Sequence, residues 1–198
     1  LRVEDEVGEL LVRETRKLIE EFLSNGALLK PATDLPVAHE KRGAFVTLNS
    51  IRFGEPSLRG CMGILEPIYP LWEAISIAAV TACRDPRFPP VEPEEMDTTL
   101  VELSILTPPT PLAGNPRRFP ELVKVGRDGL MVQWRGRQGL LLPQVAVEQG
   151  WNAEDFLVNT CFKAGLPPDA WLTGAKVYTF QADVFSEVSP RGPVKRVL

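Results

Sequence analysis

Within the 198-residue chain, positions 59 to 63 of the run Ser57-Leu58-Arg59-Gly60-Cys61-Met62-Gly63-Ile64-Leu65 gather a guanidinium, a thiol and two glycines. The thiolate form of cysteine is the nucleophile, and a nearby cation makes that form accessible near neutral pH. On a regular strand Arg59 and Cys61 share a face, which would set the guanidinium beside the sulfur. Glycines at 60 and 63 let the backbone approach a ligand closely or let the strand bulge. Two chemistries follow. Cys61 could act as a covalent catalyst, with backbone N–H groups turned towards a developing oxyanion. Alternatively, Arg59 and the glycine-flanked amides could cradle an anion. The same residues also fit plain packing, with Cys61 filling a gap in the core.

A second cluster lies at Arg84-Asp85-Pro86-Arg87-Phe88-Pro89-Pro90. Its three prolines stiffen the backbone and push the preceding residues towards extended geometry. A rigid loop with two arginines and a carboxylate is a frame for an anion, although Asp85 could equally cap the turn or pair with Arg87. We expect Arg87 to share a wall with the Arg59–Gly63 run, because the helix between them must return to the strand it left. His39, the single histidine, falls in a proline-punctuated segment at 28–42 and is expected to be solvated or hydrogen-bonded. A general base for Cys61 would have to be brought by the fold.

Leu58-Arg59-Gly60-Cys61-Met62-Gly63 resembles the Leu-Arg-Gly-Cys-Ile-Gly signature of the AMMECR protein family. Met62 in place of Ile is a volume-conserving apolar exchange. The resemblance continues at Asp85-Pro86-Arg87-Phe88-Pro89-Pro90, and at Leu142-Pro143-Gln144-Val145-Ala146 through Glu148-Gln149-Gly150-Trp151. It spans roughly residues 44–187 in the family's order. It implies a single domain of that type and a candidate site to which Cys61, Arg59, Gly60, Gly63, Asp85, Arg87 and Gln144 contribute. It brings no established activity. Association with MEMO-like and radical-SAM proteins is implied as partnership, not as mechanism.

Composition narrows the classes. A 44% apolar and 24% charged chain is ordinary for a globular protein, and one of this length buries roughly 70% of its unfolded surface. The net charge of −4 argues against wholesale electrostatic binding to nucleic acid, though a local RNA contact stays open. Three widely spaced cysteines without a CxxC, beside one histidine, give no zinc pattern, and no metal or cofactor is expected. No apolar run approaches the length of a membrane span, so a cytoplasmic protein without membrane contact is expected.

The elements that must position these residues read as α+β, with a mostly antiparallel sheet flanked by helices. Residues 4–23 carry a helical apolar stripe through Val7, Leu11, Leu18, Ile19 and Phe22, ended at Asn25-Gly26. Strands are expected at 44–49 and 58–64, joined by a long connection, and a buried helix at 71–83. A short helix at 92–97 and a strand at 100–107 follow, then a proline-rich loop at 108–120. Short strands are expected at 123–125, 129–134 and 139–142, helices from Pro143 and over 153–163, and one long strand at 176–185. We expect a core lobe of 1–107 plus 143–187, a smaller lobe at about 108–142, and a loose tail at 188–198.

Three uses of the site compete. They are a small-ligand or anion site built on Arg59, Arg84 and Arg87, a thiolate enzyme built on Cys61, and a docking subunit. The first is favoured, for a phosphate, nucleotide or RNA-like group.

Overall fold

The N-terminal apolar stripe becomes α1 (Asp5–Asn25), which ends where Gly26 takes φ 76° and returns its N–H to the Phe22 carbonyl. The structure is a computed structural model that describes residues 2–30 and 34–198. Pro31, within the expected irregular segment, lies outside the described residues. After α1 come α2 (Pro36–His39), β1 (Ala44–Arg52), β2 (Glu55–Ile64), α3 (Leu71–Ala82), a 3-10 segment (Pro93–Thr98) and β3 (Thr99–Leu106). A second stretch holds β4 (Thr110–Pro111), α4 (Phe119–Leu122), β5 (Gly129–Trp134) and β6 (Arg137–Leu141). It continues through α5 (Pro143–Glu148), α6 (Ala153–Lys163), α7 (Ala170–Thr173) and β7 (Lys176–Phe180), before β8 (Ala182–Glu187) and β9 (Val194–Arg196). The fold is α+β with two antiparallel sheets flanked by helices, as expected. Among the described residues no helix is long and apolar enough to cross a membrane.

The chain divides into two units, Leu1–Leu106 with Asp183–Leu198, and Thr107–Ala182. The first holds a five-stranded sheet in the order β2-β1-β3-β8-β9, so β2 is an edge strand. The burial of β1 alternates: Ala44, Val46, Leu48 and Ser50 are buried while Phe45, Thr47, Asn49 and Ile51 are half-buried. The buried set faces α1 and α3 in a core with Leu11, Leu18, Ile75 and Leu103. Arg16, off the apolar stripe of α1, is also buried. It grips both oxygens of Glu187 at 2.5 Å and donates to the carbonyls of Met96 and Thr99. A buried guanidinium is tolerated there because nearly every donor has an acceptor.

The second unit holds the sheet β4-β7-β5-β6, packed around Leu130, Val132, Phe156, Cys161 and Trp171. It departs from the expected lobes. Residues 143–182 belong to this unit, because β7 pairs with β5 and α6 packs on β5 and β6. The long strand expected at 176–185 breaks at Gln181, leaving β7 in one sheet and β8 in the other. Residues 123–125 form no strand, since Asp128 accepts the Lys124 N–H and folds them into a turn. The tail is held: β9 pairs with β8, and Arg196 donates to Asp5, Asp183 and the Val3 carbonyl.

Candidate functional site

The geometry around Cys61 is set by one extra residue in β2. The β1–β2 hairpin turns on Phe53 and Gly54, with Arg52 opposite Glu55, Ile51 opposite Pro56 and Asn49 opposite Leu58. The register then shifts. Leu48 faces Gly60, Thr47 faces Cys61 and Phe45 faces Gly63, so Arg59 is the unpaired residue of a β-bulge. Directly opposite residues share a sheet face. Gly60 therefore lies on the core face with Leu48, and Cys61 on the outer face with Thr47. Without the bulge Cys61 would stand opposite Val46 and point into the core.

Arg59 does not flank the thiol. Its Nε and Nη2 donate to the two Glu95 carboxylate oxygens at 2.7 and 2.8 Å, and Nη2 also reaches the Pro90 carbonyl at 3.2 Å. The bulge turns it to the side of Cys83, and its charge bears on that thiol. Glu95 completes a reciprocal cap with Glu92 at the start of the 3-10 segment, so Arg59 ties β2 to the turn ahead of β3. The glycines also have packing reasons. A Cβ on Gly60 would lie 2.3 Å from the Ala82 carbonyl oxygen at the end of α3, and one on Gly63 would enter the Phe45 ring.

Asp85 and Arg87 meet Cys61 at the open edge of β2. The Asp85 side chain is buried, and its Oδ2 accepts the Cys61 N–H at 2.9 Å and Arg87 Nη2 at 2.6 Å. Oδ1 accepts the Arg87 main-chain N–H and Nε, both at 3.0 Å. Arg87 Nη2 also reaches the Cys61 carbonyl at 3.5 Å. The expected shared wall of Arg87 and the glycine run is thus in place. These bonds, chiefly the one from the Arg87 side chain, hold the Asp85 carboxyl far below the usual carboxylate range. The Arg87 side chain is 56% exposed. Its Nη1 makes no hydrogen bond among the described residues.

Cys61 is half-buried, with Thr47 Oγ1 donating to its sulfur at 3.2 Å. Burial pushes the thiol pKa up; the Thr47 bond and the Arg87 charge partly oppose this, while Glu102 and Asp85 reinforce it. The protonated thiol is therefore the neutral-pH form, and the expected activation by Arg59 is absent. Glu102 enters because β3 sets it opposite Thr47. Cys61, Thr47 and Glu102 form one row across the outer faces of three adjacent strands. Sequence reasoning missed Thr47, Glu102 and Glu95, since their placement depends on a register that the bulge resets.

Gln144 lies in the second unit on α5, and its Oε1 is buried without a hydrogen-bond partner among the described residues. His39 Nε2 pairs with the exposed Asp34 at 2.6 Å. Cys83 and Cys161 are buried, and burial pushes Cys83 up to about 12. No three His, Cys, Asp or Glu side chains among the described residues converge as metal ligands.

Comparison with known proteins gives one consistent family. The AMMECR1 family model matches residues 12–185. A protein of Thermococcus gammatolerans is 55% identical over 98% of this chain and 97% of its own length. Protein MJ0810 of Methanocaldococcus jannaschii is 50% identical over 96% of this chain and 94% of its own. The crystal structure of the uncharacterized protein PH0010 from Pyrococcus horikoshii superposes with a TM-score of 0.92 at 52% identity, covering 99% of this chain and 98% of that one.

Proposed function

The chain belongs to the AMMECR1 family, and from that premise we propose that it binds a small anionic ligand on the outer face of the five-stranded sheet at Cys61. Arg87 is the anchor. The observation that carries this reading is the Asp85 clamp, which fixes Arg87 beside Cys61 while leaving Nη1 turned to neither. A guanidinium positioned in advance loses little freedom when it takes a planar anion. Strand alternation turns the Gly63 N–H to the same open edge as that of Cys61, as a second donor.

A single half-exposed guanidinium at the site, on a chain of net charge −4, supports a small ligand over RNA, which takes several phosphate contacts. The raised thiol pKa favours Cys61 as a contact residue over a nucleophile. We also place the protein in the cytoplasm, on the ground that Cys61, Cys83 and Cys161 are free thiols. Thermal unfolding with phosphate and short carboxylates, at constant ionic strength, tests the site. Saturable stabilisation that Arg87→Gln abolishes is expected. Stabilisation by none of the anions, or equal stabilisation of Arg87→Gln, would overturn it.

A further inference from the structure

A cavity of about 410 Å³ opens in the second unit where β4 ends. β4 pairs with β7 at two positions, Thr110 with Thr179 and Pro111 with Tyr178. The Leu112 N–H then bonds the Val177 carbonyl at 2.8 Å, and the chain leaves the sheet through Gly114 at φ 98°. It returns as a short 3-10 turn at Pro116–Arg118, capped by Asn115, that leads into α4. Beyond Val177 no strand pairs with β7 on this side, and the space is walled by Pro111, Leu112 and Pro116 instead. Phe119 and Val177, both buried, form its floor. The two prolines hold fixed φ angles, so these walls stand without a ligand.

Two polar side chains complete the lining, Lys176 and Tyr178. Two residues apart on one strand, they share a face. Neither the Lys176 ammonium nor the Tyr178 hydroxyl has a partner among the described residues. The charge of this unit also differs in sign from that of the chain. Residues 107–182 hold eight Lys and Arg against six Asp and Glu, while the whole chain carries −4. We infer that the cavity binds a small hydrophobic carboxylic acid, its apolar body on Phe119 and Val177 and its carboxylate on Lys176 and Tyr178. Small-molecule clefts run from about 300 to 1,000 Å³, mostly apolar with a few placed polar groups. This one lies near the lower end, which suits a single ring on a short chain and not a dinucleotide. A carboxylate accepts from both donors while the ring leaves water. A neutral amide forgoes the charge, and an amine meets repulsion at Lys176. The site is independent of the one at Arg87.

The probes are 3-phenylpropionate, 3-phenylpropionamide and 3-phenylpropylamine, titrated at constant ionic strength into the nitrogen-15-labelled full chain and followed by its amide NMR shifts. In the native protein 3-phenylpropionate shifts the amides of Leu112 and of residues 174–178 saturably. The amide binds about fivefold weaker, the upper end for one exposed ion pair, and the amine weaker still. Lys176→Gln brings the acid down to the affinity of the amide, while Arg87→Gln leaves the shifts at 174–178 unchanged. If acid and amide bind alike, or Lys176→Gln keeps their ratio, the carboxylate assignment falls. If no probe moves residues 174–178, the cavity is no site, and shifts at Cys61 and Arg87 alone would overturn it while the anion-site reading stands. The dispersion of each variant's amide spectrum separates lost binding from lost fold.

Discussion

Asp85 Oδ2 accepts the Cys61 main-chain N–H at 2.9 Å while the same carboxylate takes three donors from Arg87. An edge strand otherwise presents its amides to any passing chain. Here the loop after α3 closes that edge at one point and delivers a cation to it. Asp85→Ala removes the acceptor from a part-buried N–H and leaves a guanidinium that solvent already reaches. With that screening it should cost on the order of 1–2 kcal/mol, measured as a lower urea midpoint with an unchanged m-value. Asp85→Asn keeps an acceptor but loses the charge, and should fall between.

The pH dependence has a fixed sign. The folded Asp85 pKa lies below its unfolded value, so the unfolded chain binds the proton first. This contribution is fully present above about pH 4, the unfolded carboxyl value, and is lost as pH falls towards the folded one. Glu95 and Asp128 shift the same way. Stability followed by urea unfolding from pH 6 to pH 2 should therefore drop, and less steeply in Asp85→Ala. An equal slope in the two proteins would show that Asp85 is not held as an ion.

Arg59→Ala should destabilise the protein while sparing the thiol. The pair with Glu95 is buried on the arginine side and one-third exposed on the glutamate side, so solvent screens part of it. A loss of about 1–3 kcal/mol is expected. The alkylation rate of Cys61 should stay within a factor of about two in the folded variant, since Arg87 supplies the local cation. A large fall in that rate would return Arg59 to the site.

The bulge explains what the sequence could and could not convey. β-branched and aromatic content placed β1, period-two alternation placed β3, and the loop at 84–90 announced itself through its prolines and its Asp-Pro-Arg spacing. The joint placement of Arg87 and the glycine run followed from chain return alone. Face assignment in β2 did not, because counting back from Gly54 sets Cys61 opposite Val46, and only the insertion at Arg59 corrects it. Arg16 shows the same limit. A guanidinium off the apolar stripe is legible as solvated until β8 returns from a distant part of the chain with Glu187. Lobe boundaries failed for a related reason. Residues 176–185 read as one alternating strand, and nothing local marks Gln181 as the point where the chain leaves one sheet for another.

Thiol labelling should separate the three cysteines. Cys61 is half-buried while Cys83 and Cys161 are buried, so Cys61 should react first with iodoacetamide, yet more slowly than a free thiol at pH 7. Its rate should rise with pH beyond the ordinary cysteine value of about 8.5. Glu102→Gln should speed the reaction, and Thr47→Val or Arg87→Gln should slow it, following the signs of their effects on the thiolate. Labelling of Cys83 before Cys61 would contradict the face assignment.

The hairpin tip offers a stabilising change. Phe53 and Gly54 take φ 53° and 83°, the two positive angles of a primed two-residue turn, where Asn-Gly is the preferred pair. A bulky side chain at the first position is strained, and the Phe53 ring is fully exposed. Arg135-Gly136 turns the same way between β5 and β6. Phe53→Asn should therefore relieve about 1 kcal/mol, seen as a melting temperature raised by roughly 2–4 °C for a chain of this size. Phe53→Ala, which keeps the strain and removes the ring, should leave the melting temperature nearly unchanged. A fall in both variants would mean that the ring has a partner in solution, and would mark the hairpin tip as an interface.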